Sequence, residues 1–375
     1  MRLANTPGLT PRFQARLVAG MGSATAVLRA SPQRLRHLPG VDGPHADLVS
    51  SAPGVDEALA ELARVHRARA VLLWQGGPRW PPGLADLSDP PQVLFARGRL
   101  DWVDAPAVAV VGSRRVSPYG RACARRIGAE LAALGIVVVS GLARGVDTAA
   151  HVGALSVGGR TVAVLGGGLA RLYPPENVGL AREIVAGSGA VLSEFALDMP
   201  PRPYHFPRRN RILAALSRAV VVVEAGEKSG SLITADHALD LGREVLAVPG
   251  RSDHPNSRGT HRLLREGAAL CEGAADVLRA LGVESVLPET GRNGGSGGVG
   301  APSASTEGEQ SPQPAAQSPV EAVLLSHLVG VERHADELVA LGELEPGPAL
   351  AALSMLALRG VLEQGPDGRW GRLLG

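Results

Sequence analysis

AVAVVGSRRVSPYGRACARRIGAELAALGIVVVSG, residues 107–141, opens and closes on short apolar runs rich in β-branched residues and holds a helical stretch between them. Neither run alternates apolar with polar, which marks strands buried on both faces. The same type of run returns in TVAVLGGG (161–168), AVLSEF (190–195), AVVVVEAG (219–226) and EVLAVPG (244–250), with a further helical stretch in GVDTAAHVGALSVGG (145–159). Strand and helix alternating in this way predict an α/β fold, a doubly wound parallel sheet. Right-handed crossovers then bring the carboxyl end of every strand to one edge, where ligands bind.

The flanks read differently. Residues 1–66 show helical spacing broken by Pro and Gly; SPQRLRHLPG (31–40) starts on a capping Ser and a Pro and ends on Gly. This is a small helical domain. VLLW (71–74) and VLFA (93–96) are short strands, so the core is placed at 67–286. The tract 287–319 is rich in Gly, Ser, Pro and Gln and cannot bury enough apolar surface to order itself, which makes it a flexible linker to a small C-terminal unit, 320–375.

With 375 residues the chain is long enough for two or three domains, and 45% apolar with 20% charged residues fits a soluble globular protein. The net charge is only +2, so any positive field must come from clustering. Nearly all basic residues are arginine; the one lysine is Lys228. Cys123 and Cys271 make neither a disulfide framework nor a metal quartet and read as small core residues. The N-terminal segment has no apolar signal region and no run is long enough to span a bilayer, so the expected location is cytoplasmic, with no membrane partner.

The predicted sheet edge collects a distinctive set of groups. The strand at 107 delivers Gly112, Ser113, Arg114 and Arg115; the strand at 136 delivers Ser140, Gly141, Ala143, Arg144 and Gly145; the strand at 161 delivers Gly166, Gly167 and Gly168. The strand at 219 delivers Glu224, Gly226, Lys228, Ser229, Gly230 and Ser231. Glycines admit close backbone approach, helix N-termini carry partial positive charge, and arginines recognise phosphate with two donors at once. All favour an anion, several a polyanion. Neither VVGSRRVSPYG nor LGGGLARL is a dinucleotide fingerprint, and the glycine spacing before Lys228 in GEKSGS is wrong for a P-loop, so no cofactor is expected.

Upstream of the strand at 219 lies HFPRRNR, 205–211, with Arg208, Arg209, Asn210 and Arg211 in about one helical turn. No acid stands between Asp198 and Glu224, and cations are disfavoured at a helix N-terminus, so the cluster reads as unpaired and functional. Tyr204, His205 and Phe206 adjoin it in a chain with 3% aromatics. Rings beside cations suit stacked single-stranded bases with their phosphates held alongside. Catalytic constellations are missing. Asp147, His151, Glu194, Glu224, Asp236 and His237 are scattered without metal-ligand spacing, Asp147 is expected to hydrogen-bond its turn, and Ser113 and Ser231 lack an evident base. No metal is expected.

Together VAVVGSRRVSPYG, VVSGLARGVDTAAHVGAL, TVAVLGGGLARLYPPENVGL, GAVLSEF, FPRRNRILAALSRAVVVVEAGEKSGSLITADHAL, GREVLAVPG and NSRGTHRLLREGA resemble the DNA-processing protein A family (DprA, also called Smf), over about 105–275. The resemblance implies an extended Rossmann-like core that binds single-stranded DNA without a nucleotide and is not an enzyme. It further implies a homodimer that loads the RecA recombinase onto incoming strands in natural transformation. It places Gly112, Ser113, Arg114, Arg115, Gly141, Arg144, Gly145, Phe206, Arg208, Arg209, Asn210, Arg211, Lys228, Ser229, Gly230 and Ser231 at DNA, and a dimer contact near Leu263, Leu264 and Leu270. LPGVDGP (38–44) resembles a helix-hairpin-helix turn with Asp42 where the second glycine belongs, so 1–66 is SAM/helix-hairpin-helix-like. The segment 334–370 resembles a winged helix, whose recognition helix, 347–358, has no basic residue before Arg359. Two rivals stand beside this reading. One is a nucleotide phosphoribohydrolase of the lysine-decarboxylase-like group, whose paired-glycine signature is missing from EAGEKSGSLITADHA. The other is a double-strand DNA regulator acting through the winged helix.

Overall fold

The computed structural model describes residues 1–283, 318–328, 331–365 and 368–372 and divides into two units, Met1–Leu281 and Gly282–Gly375. Most of the tract expected to be a linker, 287–317, lies outside the described residues; Ser318 and Pro319 already open a helix.

The first unit starts with five helices, α1 (Pro11–Met21), α2 (Ala24–Arg29), α3 (Pro32–Arg36), α4 (Gly43–Leu48) and α5 (Val55–Arg67). Ser23 and Ser31 cap α2 and α3 through their hydroxyls, as the Ser-Pro pair at 31–32 predicts. Leu17, Val27, Leu35, Val41 and Val49 form a separate small core under α1–α4. α5 belongs to the sheet instead: Val65 packs with Phe95 and Ile184, and the buried Glu61 accepts from the Leu197 amide at 2.9 Å. The helical part with its own core therefore ends before α5, earlier than the boundary expected at 66. In the 38–44 turn Asp42 caps α4 by accepting from the His45 amide at 2.9 Å, so a carboxylate occupies the place that a helix-hairpin-helix turn would keep for an anion.

The sheet follows: β1 (Val71–Trp74), β2 (Val93–Gly98), β3 (Ala107–Val111), α6 (Pro118–Ala133), β4 (Val137–Ser140), α7 (Val146–Ser156), β5 (Thr161–Val164), α8 (Val178–Ala186), β6 (Ala190–Ser193), α9 (His205–Ala215), β7 (Ala219–Val222), α10 (Gly230–Asp240), β8 (Glu244–Ala247), α11 (Arg258–Arg265), β9 (Ala269–Leu270) and α12 (Ala274–Ala280). The nine strands run in the order β1-β2-β6-β5-β4-β3-β7-β8-β9. From β6 to β9 every pair is parallel, while β1 and β2 are antiparallel additions at one edge. Strand order reverses between β3 and β7, so their carboxyl ends diverge into the crevice typical of doubly wound sheets. This is the mostly parallel, Rossmann-like core that the apolar runs predict, extended beyond the usual set of strands. Alternate residues feed two cores. Ala109, Val111, Val220 and Val222 pack with Ile212 and Leu213 of α9, whereas Phe95, Ala163 and Val191 pack with Ala181 and Ile184 of α8. Cys123 and Cys271 are free and buried.

The second unit has three helices, α13 (Pro319–Ser326), α14 (Ala335–Leu341) and α15 (Pro346–Leu358), and an antiparallel pair, β10 (Leu362–Gln364) and β11 (Trp370–Arg372), around Leu324, Leu338, Leu353, Leu356 and Trp370. Among the described residues no helix is long and apolar enough to cross a membrane.

A polar seam crosses the main core. His151 on α7 lies 2.6 Å, Nδ1 to Oγ1, from Thr161 on β5, and Thr161 donates to the Val138 carbonyl on β4 at 2.7 Å. Thr161 spends its proton on that carbonyl, so His151 is the donor to it. Burial, with Arg209 nearby, pushes the His151 imidazolium down to about 3 from its ordinary 6.5. The unfolded chain therefore binds more protons than the folded one between those values. Stability is full above about pH 6.5 and falls as pH drops toward 3. We expect the melting temperature to decline over this window, with a contribution on the order of a few kcal/mol from this group, and the decline to flatten in His151→Asn. Thermal melts from pH 7 to 4 check this.

Candidate functional site

A groove of about 880 Å³ opens at the crevice between β3 and β7. Its walls come from the turns that follow these two strands. Gly112, Ser113, Arg114 and Arg115 leave β3; Gly226, Lys228, Ser229, Gly230 and Ser231 leave β7; Phe206, Arg209 and Asn210 rise from α9. All twelve are among the residues singled out in the sequence. Gly141, Arg144, Gly145, Arg208 and Arg211 do not line it.

Both turns are held from below. The Ser113 amide donates to the Glu224 carbonyl at 2.7 Å, and the Ala225 amide to the Asn256 carbonyl at 2.7 Å. The buried Glu224 carboxylate accepts from the Ser117 amide at 3.0 Å and from the Ser117 hydroxyl, which itself caps α6. Asn256 donates to the Arg115 carbonyl at 2.7 Å. Ser229 caps α10, so the first amides of an eleven-residue helix face the groove beside the Lys228 ammonium.

The four residues 208–211 do not act as one patch. Arg209 is buried, donating to the Gly141 carbonyl at 2.6 Å and to the Val164 carbonyl, with Asp147 at 3.7 Å. A Cβ on Gly141 would stand 2.0 Å from this guanidinium, so only glycine fits there. Asp147 accepts from the Gly141 and Ala143 amides at 3.1 and 3.2 Å, the turn-holding role expected of it. Burial pushes the Asp147 carboxyl up and the Arg209 guanidinium down, to about 10, while their mutual attraction opposes both changes. Asn210 is buried too and donates to the Gly230 carbonyl at 3.0 Å, bracing the α10 cap.

Arg211 corrects the sequence reading most sharply. It is buried and paired with Glu194 at 2.6 Å and Asp89 at 3.2 Å, so it cannot reach a ligand in the groove. Arg208 is partly exposed but also pairs with Glu194, at 3.1 Å, and lies over the Phe195 ring at 5.2 Å. The cluster expected to be unpaired is neutralised by Asp89, Asp147 and Glu194, none of them near it in sequence. Arg144 pairs with Glu176. By contrast, Arg114, Arg115 and Lys228 are exposed and form no ion pair among the described residues.

Phe206 supplies an apolar floor. It lies over Gly166, whose Cβ would come within 2.9 Å of the ring. The Arg114 guanidinium sits 4.7 Å from the Phe206 centroid, and Tyr173 meets that ring edge-on at 5.9 Å. Tyr173, Pro201, Pro203 and Asn256 were not anticipated. Their only sequence signal is position in loops after β5, β6 and β8, which carries no chemistry by itself. No cluster that could hold a metal ion occurs among the described residues.

The family model described as DNA recombination-mediator protein A matches residues 71–282, the whole sheet with its groove. The chain belongs to the DNA recombination-mediator protein A family. Among similar members of that family, Protein Smf of Escherichia coli is 46% identical over 202 residues, 54% of this chain and 54% of that protein, so the matched part spans about half of that relative. Protein Smf of Synechocystis sp. is 36% identical over 313 residues, 79% of this chain and 78% of that one. The X-ray structure of DNA processing protein A from Streptococcus pneumoniae superposes with a TM-score of 0.64 at 34% identity, covering 74% of this chain and 95% of that chain. A structure of DNA processing protein A from Helicobacter pylori, reported for that protein's single-stranded DNA binding mode, gives a TM-score of 0.52 at 33% identity over 57% of this chain and 95% of that one.

Of the dimer contacts expected, Leu263 is 3% exposed and belongs to the main core with Val245 and Ala247, so it cannot serve a partner. Leu264 is half-buried against that core and Leu270 is 47% exposed on β9, the last strand of the sheet.

The two kinds of arginine separate under substitution. Arg209→Ala leaves Asp147 buried and unpaired and is expected to lower stability by about 3–5 kcal/mol. Arg114→Ala is expected to leave stability within about 0.5 kcal/mol of the parent. Denaturant unfolding of the two variants checks both.

Proposed function

We propose that the groove binds single-stranded DNA, with phosphates on Arg114, Arg115, Lys228 and the N-terminal amides of α10 and a base stacked on Phe206 beside Tyr173. The observation that carries this is the set of three exposed cations without carboxylate partners around an aromatic floor. A single strand offers separate phosphates and unstacked bases, and this arrangement answers both. Ser113, Ser229, Gly230 and Ser231 lie close enough to supply neutral donors, while Gly112, Gly141, Gly145, Arg209 and Asn210 shape the backbone that presents them. Likeness to the Helicobacter pylori protein supports the same reading. The bound strand is passed on to a RecA-type recombinase, in transformation or repair, by a homodimer joined near Leu264 and Leu270, as the family resemblance implies.

Two features weigh against the rivals. α15 contains no lysine or arginine, and Arg359 after it pairs with Glu321, so this helix offers little to duplex phosphates. EAGEKSGSLITADHA lacks the paired glycines and the catalytic glutamate position of the nucleotide hydrolase signature, and the nearby Glu224 carboxylate is committed to Ser117 and Asn256.

Fluorescent oligonucleotide binding across a salt series, with a duplex control, tests the reading. The expected result is preference for the single strand. Arg114→Ala and Lys228→Ala should each weaken binding and reduce the salt slope by about 0.7. Phe206→Ala should cost about 1–3 kcal/mol with the slope unchanged. Duplex preference that disappears on deleting 320–375, or release of free base from AMP, would replace it. The dimer has its own check: Leu270→Glu should convert a dimer to a monomer in light scattering.

A further inference from the structure

On the α8 face of the sheet lies a second cavity, of about 180 Å³, walled by Leu169, Leu172, Ala181 and Val191 and edged by Arg97 and Arg182. Arg97 stands in an unexpected place. Along β2, Val93 and Phe95 point into the core under α8 while Leu94 and Ala96 point to the other face. Strand alternation puts Arg97 on the α8 side, beside its register partner Val191. Valine would satisfy that position. Instead a guanidinium is drawn in until its Nε is buried, with no hydrogen-bond partner. Neither Arg97 nor Arg182 forms an ion pair among the described residues. A buried donor without an acceptor is destabilising, so Arg97 is suited to an acceptor that the chain itself does not provide, with the exposed Arg182 beside it at the cavity edge.

Size and chemistry define that acceptor. An apolar cavity of about 150 Å³ takes a benzene ring, so this one holds a single aromatic or branched side chain. Two guanidinium groups at its edge match the two oxygens of a carboxylate. We propose that the cavity binds an apolar group bearing a carboxylate, its ring or branch among Leu169, Leu172, Ala181 and Val191 and its carboxylate on Arg97 and Arg182. Such a group is either a free carboxylic acid or the C-terminal residue of a peptide. The site is separate from the DNA groove and does not rest on the reading given to it.

Calorimetric titration of the full chain tests this with N-acetyl-phenylalanine, N-acetyl-leucine, the corresponding amides, and a short acidic peptide ending in phenylalanine. Wild type should bind at least one of the acids or the peptide, and at least tenfold more tightly than the amides. Arg97→Met and Arg182→Ala should each lose at least tenfold. Arg97→Met should melt no lower than wild type, which separates loss of a ligand from loss of the fold. Tighter binding of the peptide assigns the site to a protein C-terminus; binding of the free acids alone assigns it to a metabolite. No binding at millimolar concentration, equal binding of acids and amides, or unchanged binding by Arg97→Met would overturn the proposal and leave Arg97 as an arginine reaching along the sheet to water.

Discussion

The Arg209 guanidinium is the tie on which the carboxyl edge of this sheet depends. It starts on α9 and ends between the turns after β4 and β5, where two carbonyls and Asp147 meet it. A buried cation of this kind is tolerable only if its donors find acceptors, and here two backbone carbonyls, the Asn210 side-chain oxygen and the Asp147 carboxylate supply them. In return the ends of β4 and β5, α7 and α9 are fixed relative to one another. The groove walls take their positions from this clamp: Asn210, the next residue, braces the cap of α10, and Phe206, one turn earlier, lies across Gly166.

Glu194 plays the corresponding part at the other side of α9. One carboxylate receives both Arg208 and Arg211, and Asp89 completes the charge balance. The positive charge of α9 is therefore largely consumed inside the protein. What remains for a ligand comes from short turns after β3 and β7, where the backbone is held by Glu224 and Asn256 but the side chains are not. A nearly neutral chain can thus carry a local cationic groove.

The sheet was legible because its evidence is local and repeated. Apolar runs ending on glycine fix strand after strand, and the strand order then makes the edge inevitable. The turns Gly112–Arg115 and Lys228–Ser231 were legible for the same reason, since they follow strands directly. The pairing of 208–211 was not. The sequence between Asp198 and Glu224 contains no acid, yet Asp89, Asp147 and Glu194 arrive from β2's approach, α7 and the end of β6. Net charge within a window says nothing about charge brought in by tertiary contact. Leu263 failed differently: an apolar residue on a short helix near the sheet's end faces either a partner or the core, and only the packing against Val245 and Ala247 decides. Tyr173 and Asn256 sit in irregular loops, where no periodicity indicates which way a side chain turns.

The split between buried and exposed cations has an evolutionary consequence. Arg114, Arg115 and Lys228 are exposed and form no ion pair among the described residues, so a lineage can exchange them and retune its hold on a ligand in single steps. Gly141 is locked by Arg209, because any side chain at 141 must displace the guanidinium. Drift at the rim is thus unconstrained by that packing, whereas position 141 beneath it can change only after Arg209 has given way.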